Sequence, residues 1–209
     1  MVQEHEYALL GGVNRSKVGR IIGLLAASAS AGIVFLLLAA VDVAQRLGIP
    51  ANLPPAVFSL MGAGAVFTAL YWVFNRYLWR WPWVSSLMKV PDLSGKWHCD
   101  GRTIQSDGKP GYVWDGTATI IQSWDKLRIC LKTKHSGSNS ISAALLCDSA
   151  EGYRLLYNYR NDPRIEETEL KSHLGFAELV FDKTLKSAEG EYFNGHGRYT
   201  FGTMKLTRL

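Results

Sequence analysis

The stretch IIGLLAASASAGIVFLLLAAV, from Ile21 to Val41, decides the first part of the fold. Its 21 positions carry no charge, and a helix of that length can cross the roughly 30 Å hydrocarbon core of a bilayer. A second uncharged stretch of 19 residues, AVFSLMGAGAVFTALYWVF, begins at Ala56 and leads into an aromatic cluster typical of a membrane–water interface. The sequence therefore predicts two transmembrane helices, at about 21–41 and 56–78.

A cleaved signal peptide is the alternative, because basic residues precede the first apolar stretch and Ala27-Ser28-Ala29 offers small residues for cleavage. The second stretch follows so soon that a hairpin of two anchors fits better. Lys and Arg lie mainly at the outer flanks of the two uncharged stretches: Arg15, Lys17 and Arg20 before the first, Arg46 alone between them, and Arg76, Arg80 and Lys89 after the second. The positive-inside rule then predicts cytoplasmic N- and C-termini.

Small residues recur within both predicted spans. They are Gly23, Ala27 and Ala31 in the first span, and Gly62 and Gly64 in the second. Small residues let membrane helices approach closely, so these positions are candidates for packing within the hairpin or between copies, although such residues are common in any membrane helix. Neither uncharged stretch, 21–41 or 56–74, contains an acidic or basic residue, which argues against a proton or ion relay.

Charge and cysteine content restrict the function classes. The net charge of +5 divides into +4 for residues 1–91 (seven Lys/Arg, three acids) and +1 for residues 92–209 (sixteen against fifteen). The C-terminal part therefore lacks the basic surface that a DNA or RNA polymer needs. Its three cysteines form no zinc-like spacing and cannot all pair, so a reducing compartment is expected.

After Pro91 the apolar pattern changes to period two, as in strands. We predict eight strands, at about 93–104, 111–122, 125–135, 139–148, 152–160, 172–182, 187–194 and 198–208. In LRICLKTKH, Leu127, Ile129 and Leu131 alternate with polar residues, which predicts an antiparallel strand with one covered face. Eight short strands with short connections predict a closed up-and-down barrel, with a two-sheet sandwich as the alternative.

Two resemblances follow from this layout. Gly95-Lys96-Trp97 at the first strand and Arg208 in the last resemble the lipocalin superfamily, which implies that Trp97 plugs one end of the barrel and Arg208 lies across it. Two membrane helices, a P-D-L-S-G-K-W entry and a compact β-domain also resemble the CBASS anti-phage effectors, the two-transmembrane β-barrel proteins associated with CD-NTase enzymes. This second resemblance implies a barrel that binds a cyclic dinucleotide from a partner nucleotidyltransferase, followed by assembly and disruption of the bacterial inner membrane.

The expected organisation has four parts: a cytoplasmic N-terminal segment (1–17), a transmembrane hairpin (18–80), a linker (81–91) and a cytoplasmic ligand-sensing β-barrel (92–209). No P-loop, GxSxG, HExxH or strand-linked GxGxxG motif occurs, so we expect no enzyme, and no cofactor or metal beyond the ligand itself.

A cyclic dinucleotide needs flat surfaces for two bases and donors for two phosphates. The strand YRLLYNYR supplies such groups, and its period places its tyrosines on one side, which we expect to face inwards. The ligand-binding candidates are Tyr153, Tyr157, Tyr159, Trp114 and Arg198, with Thr117 and Thr119 as hydroxyl donors. Packing is the simpler role for any one strand aromatic, so part of this set is expected to contact ligand.

Two other functions remain open from the residues alone. One is a membrane-tethered, lipocalin-like carrier or sensor of a lipid or other small apolar ligand. The other is an interaction module whose barrel is filled with side chains. An effector must work as several copies, because one uncharged two-helix hairpin cannot line a water-filled pore.

Overall fold

A computed structural model describes residues 4–105, 107–148, 152–167, 171–196 and 198–209. The chain divides into two compact units. The first is helical and covers residues 13–79, and the second combines the segment before residue 13 with everything from residue 80 onwards.

The helical unit contains α1 (Arg15–Arg46), α2 (Pro55–Leu60) and α3 (Ala63–Arg76). Asn14 caps α1 by accepting a hydrogen bond from the Ser16 backbone N–H at 2.8 Å, which satisfies one of the free donors of the first turn. Helices α1 and α3 pack against each other. The buried positions of α1 recur every four residues: Val18, Ile22, Ala26 and Ser30.

The prediction of two membrane-spanning segments is confirmed in kind: Arg15–Arg46 and Ala56–Arg76 are long and apolar enough to cross a bilayer. The second is not one straight helix, however, because it is interrupted between α2 and α3. Gly62 takes an extended backbone conformation there (φ −61°, ψ 148°) and becomes the N-cap of α3. A hydrophobicity pattern does not reveal such a break.

The second unit is entered through a 3₁₀ turn at Leu78–Arg80 and the short helix α4 (Pro82–Met88), which lies within the predicted linker 81–91. Pro82 starts α4, where its missing N–H is no loss. The described residues of this unit form nine strands: β1 (His5–Leu10), β2 (Gly95–Ile104), β3 (Pro110–Gln122), β4 (Lys126–Thr133), β5 (Ser136–Asp148), β6 (Gly152–Pro163), β7 (His173–Phe181), β8 (Ser187–Asn194) and β9 (Phe201–Arg208).

The strands close into a barrel, in the order β1-β4-β3-β2-β9-β8-β7-β6-β5. This confirms the predicted closed barrel over the sandwich, and all eight predicted strands are present. Among the described residues the strand count is nine and not the predicted eight, because β1 joins the sheet from the N-terminal segment. β4 and β5 pair directly over only three residue pairs, and β1 fills the gap between them, antiparallel to β4 and parallel to β5 from Tyr7↔Ala143 to Leu10↔Leu146.

One end of the barrel, which we call the proximal end, is closed by side chains. Trp97 is fully buried and packs edge-on against Phe181. The Arg208 guanidinium lies 5.2 Å from the Trp97 ring centroid and donates to the backbone carbonyls of Ser94, Asp92 and Leu185. This is the arrangement that the lipocalin resemblance implies.

The chain also leaves and re-enters the barrel at the proximal end. Gly11, just after β1, lies against the Cys147 carbonyl near the end of β5. On the return, Arg80 donates to the Gln122 carbonyl, and the Gln122 side chain accepts from the Leu93 backbone N–H at 2.9 Å. The opposite, distal end is therefore the end without chain connections to the helices.

Candidate functional site

Polar and aromatic side chains meet inside the barrel at the distal end. Strand alternation points Thr103, Trp114, Tyr159, Tyr192 and Asn194 inwards from four different strands, and we call these five residues the distal cluster. Tyr159 and Tyr192 are each only 7 % exposed. The distal cluster thus fills the end of the barrel opposite the Trp97 plug.

Two glycines set the position of two of these rings. Trp114 lies across the sheet from Gly101, and a Cβ at Gly101 would come within 2.0 Å of the indole. Tyr159 lies across from Gly175 in the same way, where a Cβ would come within 2.4 Å of the phenol ring. Because glycine has no side chain, each ring lies flat against the barrel wall.

Hydrogen bonds hold the distal cluster in one arrangement. The Trp114 indole N–H donates to the Tyr192 hydroxyl at 3.1 Å, and Thr103 Oγ1 lies 3.1 Å from the same hydroxyl. The Tyr159 hydroxyl donates to Asn194 Oδ1 at 2.8 Å, and Asn194 in turn donates from its amide to Thr200 Oγ1 at 2.7 Å. Every ring with a polar atom is therefore tied to a neighbour on another strand or on the β8–β9 connection.

A column of tyrosines leads inwards from the distal cluster. Tyr157 is fully enclosed below Tyr159, with ring centroids 5.9 Å apart. Burial raises the pKa of Tyr157, Tyr159 and Tyr192 above that of an exposed tyrosine, because the phenolate would lose its hydration. All three phenols are thus neutral at physiological pH and act as hydrogen-bond donors and acceptors.

Arg198 brings positive charge to this end of the barrel. It lies on the connection between β8 and β9 and donates to the Tyr112 hydroxyl. Its charge opposes the rise in pKa of both Tyr159 and Tyr192, which comes mainly from burial. A guanidinium beside aromatic faces is suited to a phosphate-bearing ligand with ring systems.

The structure brings together four of the seven predicted ligand-binding residues: Trp114, Tyr157, Tyr159 and Arg198. Tyr153 also lies on the inner side of β6, but it pairs with Phe181 and Cys147 near the proximal end. Thr117 and Thr119 lie on the outer face of β3, because Gly116, Ala118 and Ile120 occupy the inner positions. Their placement does not bring them to the distal cluster.

Sequence reasoning missed Tyr192, Asn194 and Thr103. Tyr192 and Asn194 alternate along EYFN, a pattern that could have placed both on the inner face had β8 been aligned with β9.

Asn161 was missed as well. Its side-chain oxygen is buried without a hydrogen-bond partner, while its amide donates to Ser136 Oγ at 3.1 Å. A buried, unpaired acceptor on the inner side of β6 is unusual enough to merit a role.

Of the small residues predicted for packing in the membrane, those in α1 lie off its buried face. The buried face of α1 is one residue out of phase with Gly23, Ala27 and Ala31, and a Cβ at Gly23 or Gly64 would meet open space. Gly62 acts as the N-cap of α3. These positions are thus left for contacts outside the hairpin, and a role in self-association stays a prediction.

Within the described ranges, no three His, Cys, Asp or Glu side chains are grouped so that they could hold a metal ion. Cys99 is fully buried, and burial together with the Asp100 charge raises the pKa of its thiol to about 12. A thiol of that pKa stays protonated and unreactive.

Comparison with known proteins identifies two matching segments. Residues 88–208 match the family described as Cap15, cyclic dinucleotide receptor domain, and residues 16–80 match the family described as Cap15, TM helices. Over its whole length the chain is also 48 % identical to CD-NTase-associated protein 15 from Yersinia aleksiciae, covering 99 % of that protein. The distal cluster lies entirely within the segment that matches the receptor domain.

Proposed function

Because this chain belongs to the Cap15 family, with its cyclic dinucleotide receptor domain and transmembrane helices, we propose that the distal cluster is its ligand-binding site. The ligand is a cyclic dinucleotide made by a partner CD-NTase during phage infection. Ligand binding drives oligomerisation of the membrane helices, which disrupts the bacterial inner membrane and stops growth or kills the cell.

The combination of groups at the distal end carries this proposal. Trp114, Tyr159 and Tyr192 present ring faces for two bases, and Arg198 presents a guanidinium for a phosphate. Asn194 and the unpaired Asn161 oxygen can bond to base edges. A lipid carrier would need an apolar entrance, so the polar groups here do not favour that alternative.

The same cluster offers a route from binding to a change of state. Tyr159 and Tyr192 fill the distal end, so a ligand enters only by displacing rings that are hydrogen-bonded to neighbouring strands. A ligand shifts an equilibrium by as much as it prefers one state over the other. The ligand-bound and ligand-free barrels would differ in the hydrogen bonds made by Tyr159 and Tyr192. This difference would give the ligand a preference for one of the two states.

Strand β1 is the proposed connection from the barrel to the first membrane helix. Ser140 pairs with Tyr159 across β5 and β6, and its hydroxyl lies 2.7 Å from His5 Nε2 at the start of β1. β1 ends at Leu10, only four residues before α1 is capped by Asn14. A movement of Tyr159 is thus passed through Ser140 to a strand that leads directly into α1.

The topology of β1 also supports the proposed orientation. The first strand and the last strand belong to one barrel, so we expect both ends of the membrane segment to lie on the same side of the bilayer. Together with the excess of Lys and Arg outside the hairpin, this favours cytoplasmic N- and C-termini. A CD-NTase product made in the cytoplasm would then reach the barrel directly.

A thermal-shift measurement tests the binding site. The full chain in detergent is heated with a panel of cyclic di- and trinucleotides, and one cyclic dinucleotide is expected to raise its melting temperature, since a ligand of the native state stabilises it. Trp114→Ala and Arg198→Gln should abolish most of the shift, whereas Thr117→Val on the outer face should retain it. If no member of the panel shifts the full chain, the proposal is wrong.

A second experiment separates binding from its consequence. His5→Ala is expected to bind the ligand with unchanged affinity but to release less dye from vesicles that contain the protein, because the contact with Ser140 is lost. Equal dye release by this variant and the unaltered chain would rule out β1 as the connection. Loss of both binding and release would instead place His5 in the binding site.

A further inference from the structure

An apolar row crosses the outer wall of the barrel at four strands. Phe176 on β7, Phe193 on β8, Phe201 on β9 and Ile104 on β2 are consecutive cross-strand partners and all point outwards. Phe176 and Phe193 stack with centroids 5.4 Å apart. Phe193 is 55 % exposed and Phe201 is 41 % exposed. A contiguous apolar row with two exposed phenylalanines on a barrel wall is a mark of an interaction surface.

The next two rows on the same wall are rich in acids and line a groove of about 660 Å³. Four acids point into it, against two bases: the acids are Asp100, Glu178, Glu189 and Glu191, and the bases are Arg102 and Lys205. Lys205 binds Glu189 at 2.8 Å, and Arg154 binds Glu178 at 2.8 Å. Glu191 is the direct cross-strand neighbour of Glu178 and has no ion-pair partner among the described residues. Like charges in such a pair oppose each other, and an external cation would relieve this.

The opposite wall carries the complementary charge. β4 lies four strands from β8 in either direction around the ring. Its outward positions include Lys126, Arg128 and Lys132, with no acid among them. Arg160 on β6 adds a further exposed cation, and Ile141, 52 % exposed at the β5 bulge, adds an apolar side chain between them.

We propose that these two walls bind each other between copies: the aromatic and acidic wall of one barrel contacts the basic wall of the next. This contact would provide a protein interface for the proposed oligomerisation, and its role in the cell rests on the proposed function. The contact itself requires no nucleotide. Since the two surfaces are different and lie on opposite sides, the contact is heterologous. It repeats from copy to copy instead of closing at a dimer.

A second copy is favoured over other occupants by the charges. Pairing of the acidic wall with itself would bring Glu178 and Glu191 against their own counterparts, whereas the β4 wall supplies the missing cations. Phe193 and Phe201 are exposed, while Phe176 and Ile104 are only partly exposed. Together they offer roughly 300 Å², less than half of what each partner buries in a stable interface. The contact is therefore weak in solution and becomes effective when copies are concentrated in one membrane.

Charge-reversal variants test the proposal on the full chain in phosphatidylcholine vesicles. Copies labelled at the C-terminus with donor or acceptor dyes should show energy transfer that rises with protein density, without any nucleotide. Glu191→Lys and Lys132→Glu should each lower the transfer about threefold to fivefold. Combining both changes in one chain, or mixing the two single variants, should restore it, because opposite charges then face each other again.

Two reversals elsewhere on the barrel serve as controls: Glu166→Lys and Lys183→Glu, both at exposed loop positions, should leave the transfer unchanged. The proposal is overturned if the unaltered chain shows no density-dependent transfer, or if Lys132→Glu has no effect while Glu191→Lys does, which would indicate another partner surface. Neutral lipid removes attraction of the basic wall to anionic headgroups. Nucleotide binding, measured by thermal shift on the same variants, should be unchanged, so the binding-site and wall proposals can fail separately.

Discussion

The indole of Trp114 lies against the Cα of Gly101, its partner across strands β2 and β3, with a virtual Cβ only 2.0 Å from the ring. This contact fixes the position of the Trp114 indole within the distal cluster. The indole N–H then reaches the Tyr192 hydroxyl on β8, on the far side of β9. A residue without a side chain thus positions a ring that we propose as a base-stacking surface.

Gly101→Ala should displace Trp114 and weaken binding of a cyclic dinucleotide. Stacking of one base on an aromatic ring contributes about 1–3 kcal/mol, so we expect Kd to rise about tenfold. Isothermal titration of the full chain in detergent measures this. Gly137→Ala is the matched control, since a Cβ there meets nothing closer than 3.9 Å. Equal affinity of Gly101→Ala and the unaltered chain would remove the Trp114 ring from the proposed site.

Replacing the arginine at each end of the barrel should have a different effect. Loss of Arg208 should lower stability, and loss of Arg198 should lower ligand affinity. Arg208→Gln removes the guanidinium that bonds three carbonyls over Trp97, and should lower the free energy of unfolding by about 2 kcal/mol while ligand affinity is kept. Arg198→Gln should change stability by less than about 0.5 kcal/mol but weaken ligand binding, because a phosphate loses its charged donor. Denaturant unfolding and titration of both variants check this. A stable Arg208→Gln would contradict the assigned closure of the proximal end.

Removing the Tyr192 hydroxyl should cost stability even without ligand. In Tyr192→Phe the Trp114 indole N–H and the Thr103 hydroxyl lose a common partner, and an unpaired buried polar group costs about 1–3 kcal/mol. The melting temperature should fall by several degrees. Tyr199→Phe removes the same group from a side chain that is 74 % exposed, and should melt with the unaltered protein. Equal melting of both variants would show that the Tyr192 bonds are not formed.

The sequence predicted the barrel well because seven of its hairpins follow the chain in order. In β4, Leu127 and Ile129 are buried as the alternation indicates, and each of the eight predicted strands overlaps an observed one. The full-length similarity to CD-NTase-associated protein 15 supports the same family assignment as the P-D-L-S-G-K-W entry. Local periodicity is sufficient when neighbouring strands are also neighbours in sequence.

Long-range features were not predictable in this way. β1 has only six residues and pairs with strands more than a hundred positions away, so its alternation has no local turn to support it. The same holds for Tyr192, whose partners Thr103 and Trp114 lie on β2 and β3. Which side of a strand faces inwards follows from the pattern, but which rings meet depends on the register of the closed ring.

Buried phenols make the stability of the barrel depend on pH. Burial raises the pKa of Tyr157 and Tyr159 above the ordinary value of 10, and that of the Cys99 thiol from 9.0 to about 12. The folded state therefore holds these protons more tightly than the unfolded state. Their contribution to the free energy of unfolding is complete below about pH 9. It is lost as the pH rises, since the unfolded chain then ionises first. Melting temperatures from about pH 8 to about pH 11 should fall steadily.

Tyr157→Phe removes one of these groups, so its melting temperature should fall less over the same pH range, whatever its value at pH 8. The comparison isolates the slope from the packing change, because Phe keeps the ring between Tyr159 and the inner barrel. A slope equal to that of the unaltered chain would mean that the Tyr157 hydroxyl reaches water in the folded protein.

The pairing of β1 with β5 can be trapped chemically. Ala8 and Ala144 are directly paired and both lie on the outer face of the sheet, so cysteines at these positions should form a disulfide on mild oxidation. The experiment uses the full chain with Cys99, Cys130 and Cys147 replaced by Ala, so that only the introduced pair reacts. A disulfide changes mobility on a non-reducing gel, and cleavage between α3 and β2 then leaves the two fragments joined. Ala8→Cys with Thr207→Cys on the outer face of β9 is the control and should not crosslink within one chain. If Ala8→Cys and Ala144→Cys remain free thiols, β1 is not part of the barrel and its proposed connection to α1 fails, because a strand that does not pair with β5 cannot pass a movement of Tyr159 to the membrane helix.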